Sequence, residues 1–313
     1  MPAITIVVPT FNEATNVEFF FDEVCRVIRD LNDYTWELIF IDDGSVDETW
    51  KIIKNISSQD QRVKGISLSR NFGKEIALTA GVESVSDVDA VIFMDADLQH
   101  PPELIPELIR QWKLGFQVVV TRRTAIQYSW VRGMGSRLFY FLLNRFTSLD
   151  TVSQSSDFRL LDRKVFEMLR GFTERNRFFR GLVDWMGFKK TCVTFAAANR
   201  VRGKSTFSFN DLSRFAVNAL TSFSLFPLRI TGYVGVAVLF FSLFTLIYML
   251  VAHHIFEITV ITPLAYFIVF NTLLFGVVLA ALGMIALYIG HIHTEVIGRP
   301  IYIVQERAGF DNK

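Results

Sequence analysis

The sequence predicts an α/β protein: a mostly parallel, doubly wound sheet over residues 1–205, then amphipathic helices and a two-helix transmembrane hairpin. Three observations carry this. Short β-branched runs alternate with segments of helical periodicity from residue 4 to residue 121. Acidic and amide residues cluster directly after the strands. No Lys or Arg lies between Arg229 and Arg299, where long apolar runs stand instead.

The first strand, 4–10 (ITIVVPT), is a buried β-branched run ended by Pro9 and polar residues. The helix after it carries Val17, Phe20, Phe21, Val24, Val27, Ile28 and Leu31 at helical spacing. The second strand, 36–42 (WELIFID), runs into Asp42-Asp43-Gly44-Ser45, and 49–56 is helical. The third strand, 63–69, precedes a helix over 74–85. The fourth, 89–95 (DAVIFMD), runs into Asp95-Ala96-Asp97-Leu98-Gln99. In PPELIPELIRQWK, proline stands in the first helical turn, where its missing N–H costs nothing. The fifth strand is 116–121. Such alternation implies parallel strands joined by right-handed crossovers, and ligands bind beyond the carboxyl ends of those strands.

In the C-terminal part, runs 230–252 and 263–290 each exceed the roughly 20 residues that cross about 30 Å of hydrocarbon. Buried core helices are the alternative, but Glu257 and Glu295 are the only acids between Arg229 and Arg299. Asn271, the one strongly polar interruption, is expected to face a partner helix or a neighbouring subunit. Basic residues flank the pair and the link between the runs has none, so the positive-inside rule puts both termini and the N-terminal α/β part in the cytoplasm. A multi-pass protein of the cell (inner) membrane is expected. Met1 leads straight into the first strand, so no signal peptide is expected. The organisation is therefore a 1–205 domain, a 206–229 juxtamembrane helix, a 230–290 hairpin and a 291–313 cytosolic tail. Leu212, Phe215, Ala216, Ala219, Leu220 and Phe223 share one helical face, and 130–146 is basic and aromatic. Both stretches suit either the headgroup plane or packing on the sheet.

Composition excludes several classes. With 32 Lys+Arg against 31 Asp+Glu, overall charge gives no argument for nucleic acid. Two cysteines, Cys25 and Cys192, exclude a disulfide scaffold and a Cys-based zinc site. No G-x-G-x-x-G follows the first strand and no P-loop occurs, so nicotinamide-enzyme and P-loop readings lose their support. The five histidines, His100, His253, His254, His291 and His293, do not form a ligand set and read as interfacial polar residues. Carboxylate and amide oxygens at three successive strand ends suit Mg²⁺ or Mn²⁺.

VPTFNE, IDDGSVDET, RNFGKEIAL, MDADLQHPPE and SDFRLLDRKV, in this order, resemble the family 2 glycosyltransferases of GT-A, Rossmann-like fold. More narrowly they resemble the polyprenyl-phosphate sugar transferases, namely dolichol-phosphate-mannose synthase and the bactoprenol glucosyltransferases. TSFSLFPLRI and GRPIYIV are similar to the bactoprenol branch. The resemblance implies that Pro9, Asn12, Glu13, Asp42, Asp43, Arg70, Lys74 and Asp95 bind a nucleotide sugar. It implies that Asp95, Asp97 and Gln99 hold Mg²⁺ or Mn²⁺, and that Asp157 is the catalytic carboxylate. It also implies a homo-oligomer, a tetramer, which the glycines at 276, 283 and 290 suit.

Chemistry qualifies the role of Asp157. A lipid phosphate has a second pKa near about 6 and barely needs a base. Asp157 is then a base, an orienting group, or simply a helix-start cap for RLLDRKV. The acceptor phosphate needs cations, for which Arg122, Arg132, Arg137, Arg200 and Lys204 are candidates, with Ser136 and Ser205 beside them. A basic belt facing lipid headgroups is the other reading of Arg202 and Lys204. Thr206 stands where the family's R-x-x-G-x-S-K pattern has Lys, and Lys204 is the available substitute.

The expected activity is inverting transfer of a hexose, glucose from UDP-glucose, to undecaprenyl phosphate on the cytoplasmic leaflet. The alternatives are mannose transfer from GDP-mannose, a processive polysaccharide synthase, and a nucleotide-sugar-binding membrane scaffold without turnover.

Overall fold

The structure is a computed structural model that describes residues 1–123, 155–174, 177–195 and 263–310, with a few single positions between 233 and 244. The chain divides into two units, Met1–Leu212 with Arg299–Lys313, and Ser213–Gly298.

Among its described residues the first unit is built on eight strands: β1 (Ala3–Thr10), β2 (Thr35–Asp42), β3 (Val63–Leu68), β4 (Ala90–Phe93), β5 (Val118–Arg123), β6 (Ser155–Asp162), β7 (Lys190–Phe195) and β8 (Val304–Ala308). They form one sheet in the order β7-β5-β6-β4-β1-β2-β3-β8. The helices are α1 (Val17–Ile28), α2 (Thr49–Gln59), α3 (Lys74–Ser84), α4 (Ile105–Lys113), α5 (Arg163–Arg170) and α6 (Phe179–Trp185). Helices cover both faces, so the central strands are apolar on both sides. Ile4, Ile6, Val7 and Val8 of β1 are fully buried. α1 buries Val17, Phe20, Val24 and Ile28, and Phe20 meets Phe40 of β2 edge-on at 6.1 Å.

The sheet is mostly parallel, with two reversals that the strand–helix alternation does not contain. β6 runs antiparallel to both β4 and β5. Its register pairs Phe93 with Arg159, and two residues further along, Asp157 stands level with Asp95. The beginning of β6 therefore reaches the same crest as the carboxyl ends of β1, β2, β4 and β5.

The second reversal is β8, antiparallel on β3. It lies inside 291–313, which periodicity assigns to a tail. Trp50 Nε1 donates to Glu306 Oε2 at 2.7 Å, Lys54 pairs with Glu306 at 3.0 Å, and Tyr302 Oη donates to Glu83 at 2.7 Å. β8 covers the β3 edge, whose N–H and C=O groups would otherwise invite another chain.

The second unit contains α7 (Pro263–Ile297), which continues past the expected end at 290. Leu274–Ile297 spans 24 residues and, among the described residues, is the one helix long and apolar enough to cross a membrane. At 1.5 Å per residue it reaches about 36 Å. The run 230–252 lies almost wholly outside the described residues, so the two-helix hairpin rests on the sequence. The Asn271 amide donates to Phe267 O at 2.8 Å, one turn back in its own helix.

Candidate active site

The crest begins where β1 and β2 end. Thr10 O accepts from Asp43 N at 2.9 Å, which ties the two strand ends together. Asp42 is buried, and its carboxylate accepts from Ser45 N at 3.1 Å and from Ser67 Oγ at 2.9 Å. Asp43, also buried, accepts from Phe72 N at 2.7 Å and Gly73 N at 2.8 Å. Burial raises the Asp43 carboxyl above its ordinary value, against the pull of those N–H groups. Gly44 explains the DDGS pattern. Its φ is +69°, and a Cβ there would sit 2.3 Å from the Arg70 carbonyl carbon, so only glycine fits.

Asn12 has φ +55°, a left-handed conformation that asparagine tolerates. Its N–H donates to Ser45 Oγ at 2.9 Å and its Oδ1 accepts from Val46 N at 3.0 Å. Glu13 N donates to Thr49 Oγ1 at 2.8 Å, and the Glu13 carboxylate accepts from Asn16 Nδ2 at 2.5 Å. Pro9 is half-buried in β1 opposite Ile41. Arg70 is exposed, with its guanidinium 4.0 Å from the Phe72 ring centroid. Asn12, Glu13, Asp42 and Asp43 thus form a hydrogen-bonded rim over the β1–β2–β3 ends, with Pro9 and Arg70 beside it.

The turn after β4 completes the crest. Leu98 is the other non-glycine residue with positive φ, at +53°, among the described residues. A β-carbon in that region costs energy, so the turn is held by its surroundings. Gln99 N donates to Asp97 Oδ1 at 3.1 Å. Lys74, the first residue of α3, reaches Asp95 at 2.6 Å and Asp157 at 2.7 Å. Arg180 Nε donates to Asp157 Oδ1 at 2.5 Å, and buried Arg159 lies 3.8 Å from the same oxygen. Burial would raise the Asp157 carboxyl, but Arg180 and Lys74 outweigh it and hold it well below the usual carboxylate range. The same carboxylates push the Lys74 ammonium up against the effect of its burial.

His100 is a correction to the sequence reading. It is buried rather than interfacial, with its ring 5.6 Å from Phe158 and 6.1 Å from Phe195 and its Nδ1 3.8 Å from Asp95. The cap reading of Asp157 is corrected too. Asp157 lies inside β6, and Asp162 caps α5 by accepting from Lys164 N at 3.0 Å.

The residues present suit a hard divalent ion. Asp95 and Asp97 stand on one tight turn, and the Lys74 ammonium already places positive charge between Asp95 and Asp157. Among the described residues no group of three or more His, Cys, Asp or Glu side chains converges on one point. An ion here would rest on two carboxylates and take its remaining oxygens from a diphosphate and water, the usual Mg²⁺ arrangement.

Of the residues assigned to the acceptor phosphate, Arg122 is exposed at the carboxyl end of β5, on the same crest. Arg132, Ser136, Arg137, Arg200, Lys204 and Ser205 lie outside the described residues, as do the amphipathic stretches. Sequence reasoning missed Glu75, Arg159 and Arg180. Arg159 carried a signal: an arginine inside the apolar run of β6 needs an anion nearby.

A family model described as glycosyl transferase family 2 matches residues 5–170. An uncharacterised glycosyltransferase of Bacillus subtilis (strain 168) is 38% identical over 316 residues, covering 99% of this chain and 95% of that protein. The bactoprenol glucosyl transferase of Shigella phage SfII is 37% identical over 310 residues, covering 97% of each. A prophage bactoprenol glucosyl transferase homolog of Escherichia coli (strain K12) is 35% identical over 309 residues, covering 96% of this chain and 98% of that one. Carboxylate-lined strand ends, a family pattern over half the chain and relatives matched end to end lead to one conclusion: the chain belongs to glycosyl transferase family 2 and is a glycosyltransferase.

Proposed function

We propose that this protein transfers a hexose from a nucleotide sugar to undecaprenyl phosphate at the cytoplasmic face of the membrane, with glucose from UDP-glucose as the preferred donor. The observation that carries this is one ammonium, Lys74, bonded to both Asp95 and Asp157 at 2.6 and 2.7 Å. The turn suited to a diphosphate and the carboxylate suited to a sugar lie within one side chain's reach. The names of the full-length relatives support bactoprenol as acceptor. The apolar Leu274–Ile297 helix supports a membrane site for it, and the second span, 230–252, completes the proposed hairpin.

The β1–β2 rim, with Asn12, Glu13, Asp42, Asp43 and Arg70, binds the nucleoside through polar groups that its own hydrogen bonds hold in place. Asp95 and Asp97, with Gln99 beside them, hold Mg²⁺ or Mn²⁺. When bound, that ion neutralises the diphosphate as it leaves. Lys74 adds a cation on the leaving-group side, and preorganised charge of this kind is usually the largest catalytic contribution. Arg122 and the basic residues at 132, 137, 200 and 204 orient the lipid phosphate. That phosphate attacks the anomeric carbon already ionised, so Asp157, which holds its negative charge, orients the sugar rather than taking a proton.

The test is product analysis. Full-length protein in detergent, with Mg²⁺ or Mn²⁺, undecaprenyl phosphate and a panel of radiolabelled nucleotide sugars, is expected to give a single-sugar lipid from UDP-glucose. Asp97→Ala is expected to lose about 100-fold in rate, on the scale of removing one preorganised charge, with its melting temperature little changed. Product from GDP-mannose alone would move the donor assignment, and a multi-sugar product would favour a processive synthase. No nucleotide release with any donor would leave a scaffold.

A further inference from the structure

The two residue pairs at the starts of α3 and α6 enclose Asp157. Lys74 and Glu75 open α3, and Phe179 and Arg180 open α6. Lys74 Nζ bonds Asp157 Oδ2 at 2.7 Å, and Arg180 Nε bonds Asp157 Oδ1 at 2.5 Å. Phe179 N, one of the N–H groups that a helix start leaves without a partner, donates to Glu75 Oε2 at 2.7 Å. These three contacts and the two intervening peptide links form a closed ring: 157, 180, 179, 75, 74 and back to 157.

The ring matters because an aspartate carboxylate turns easily about its last torsion. Here each oxygen is bonded to a cation on a different helix, and Glu75 fixes one helix to the other. The carboxylate cannot rotate without breaking a contact. Arg159 closes the third side. It is 1% exposed, donates to Ser156 O at 3.0 Å, and finds no partner for its Nε among the described residues. Nothing in the proposed chemistry otherwise uses Glu75, a half-buried acid whose carboxyl desolvation and the nearby Asp157 push above its ordinary value. A carboxylate drawn partly out of water beside another one needs a structural return.

We propose that Arg180 and Glu75 are positioning residues for sugar transfer, locking the Asp157 carboxylate against Lys74 so that it meets the sugar in one orientation. This inference rests on the proposed function. Both act through Asp157. Misplacing a reacting group by about 1 Å costs about 100-fold, which sets the scale of the expected effect.

The experiment compares Arg180→Met, Arg180→Lys, Glu75→Ala and Glu75→Gln in the full chain, with UDP-glucose and undecaprenyl phosphate varied separately. Arg180→Met is expected to lower kcat about 100-fold, with both KM values within about threefold of wild type. Arg180→Lys is expected to recover part of that loss. Glu75→Ala is expected to lower kcat about tenfold, while Glu75→Gln, whose amide oxygen still accepts from Phe179 N, recovers most of it. A residue that only supports folding would not separate kcat from KM in this way. The proposal is overturned if Arg180→Met keeps kcat within about threefold, if its loss falls wholly in KM, or if Glu75→Gln is as impaired as Glu75→Ala. A wild type that transfers no sugar to lipid phosphate sinks the proposed function instead. Experimental structures of wild type and Arg180→Met then decide the ring. An Asp157 carboxylate rotated off Lys74 supports it, and an unmoved one overturns it.

Discussion

Two carboxylates on the crest, one past the end of β2 and one near the start of β6, are held by opposite means. Asp43 is bound by neutral backbone N–H groups from Phe72 and Gly73. Asp157 is bound by cations, Lys74 and Arg180 directly and Arg159 at longer range. Burial raises the first and the cations depress the second. The β1–β2 rim is thus shaped by local loop geometry, its buried acids held by backbone and hydroxyl donors. The Asp157 side is a charge-balanced cluster assembled from three separate elements, and it answers to the loss of charge rather than the loss of shape.

Asp157→Asn is expected to have the largest effect. It keeps the shape but leaves Lys74, Arg159 and Arg180 facing a neutral amide. Transfer should fall about 1,000-fold, and stability should drop on the order of 3 kcal/mol, as when one partner of a buried pair is removed. The pH dependence follows from the depressed folded-state pKa. The stabilisation by Asp157 is fully present above the unfolded value of about 4 and is lost only as pH falls through the lower folded value. Thermal unfolding of wild type and Asp157→Asn in detergent should therefore keep a constant gap from neutrality to about pH 4 and close below it. A gap that closed near pH 6 would erase the contrast with Asp43.

Asp43→Ala comes next. Two N–H donors lose their acceptor, a cost of about 1–3 kcal/mol. Because the carboxyl of Asp43 is raised, the sign reverses: its favourable contribution belongs to low pH and fades as pH rises through the folded value. Binding of UDP-glucose by calorimetry should weaken by about tenfold, while kcat at saturation changes far less. A kcat loss as large as that of Asp157→Asn would merge the two regions into one.

The smallest effect is expected far from both. Tyr302→Phe removes the hydrogen bond to Glu83 that helps hold β8. That bond is worth about 1 kcal/mol, or about 2–4 °C in melting temperature for a unit of this size. Differential scanning fluorimetry reads the shift, and the transfer rate should not move.

Much of this was legible in the sequence because it is local. β1 and β2 each differ from the expected strand by one residue at the start, since short apolar runs whose centres are buried on both faces leave little choice. The DDGS turn, the DADLQ turn and their place at strand ends follow from residues adjacent in the chain. His100 was misjudged because a single polar side chain does not announce that Phe158 and Phe195, far along the chain, will enclose it. Glu75 and Arg180 were invisible for the same reason: 104 residues separate Glu75 from the N–H it accepts. β8 was missed because five residues with three exposed polar side chains carry no core pattern.

The sequence by itself determined the alternation of strands and helices, the acidic turns at their ends and the long apolar helix, all of which depend on residue types at short spacing. Tertiary structure alone decided the direction of β6, and with it the company of Asp157. Strand direction is settled by which neighbours a segment pairs with, and reversing one strand exchanges the ends it presents to the crest. That reversal brings a carboxylate from the start of β6 level with Asp95 from the end of β4, between cations that lie far from it along the chain.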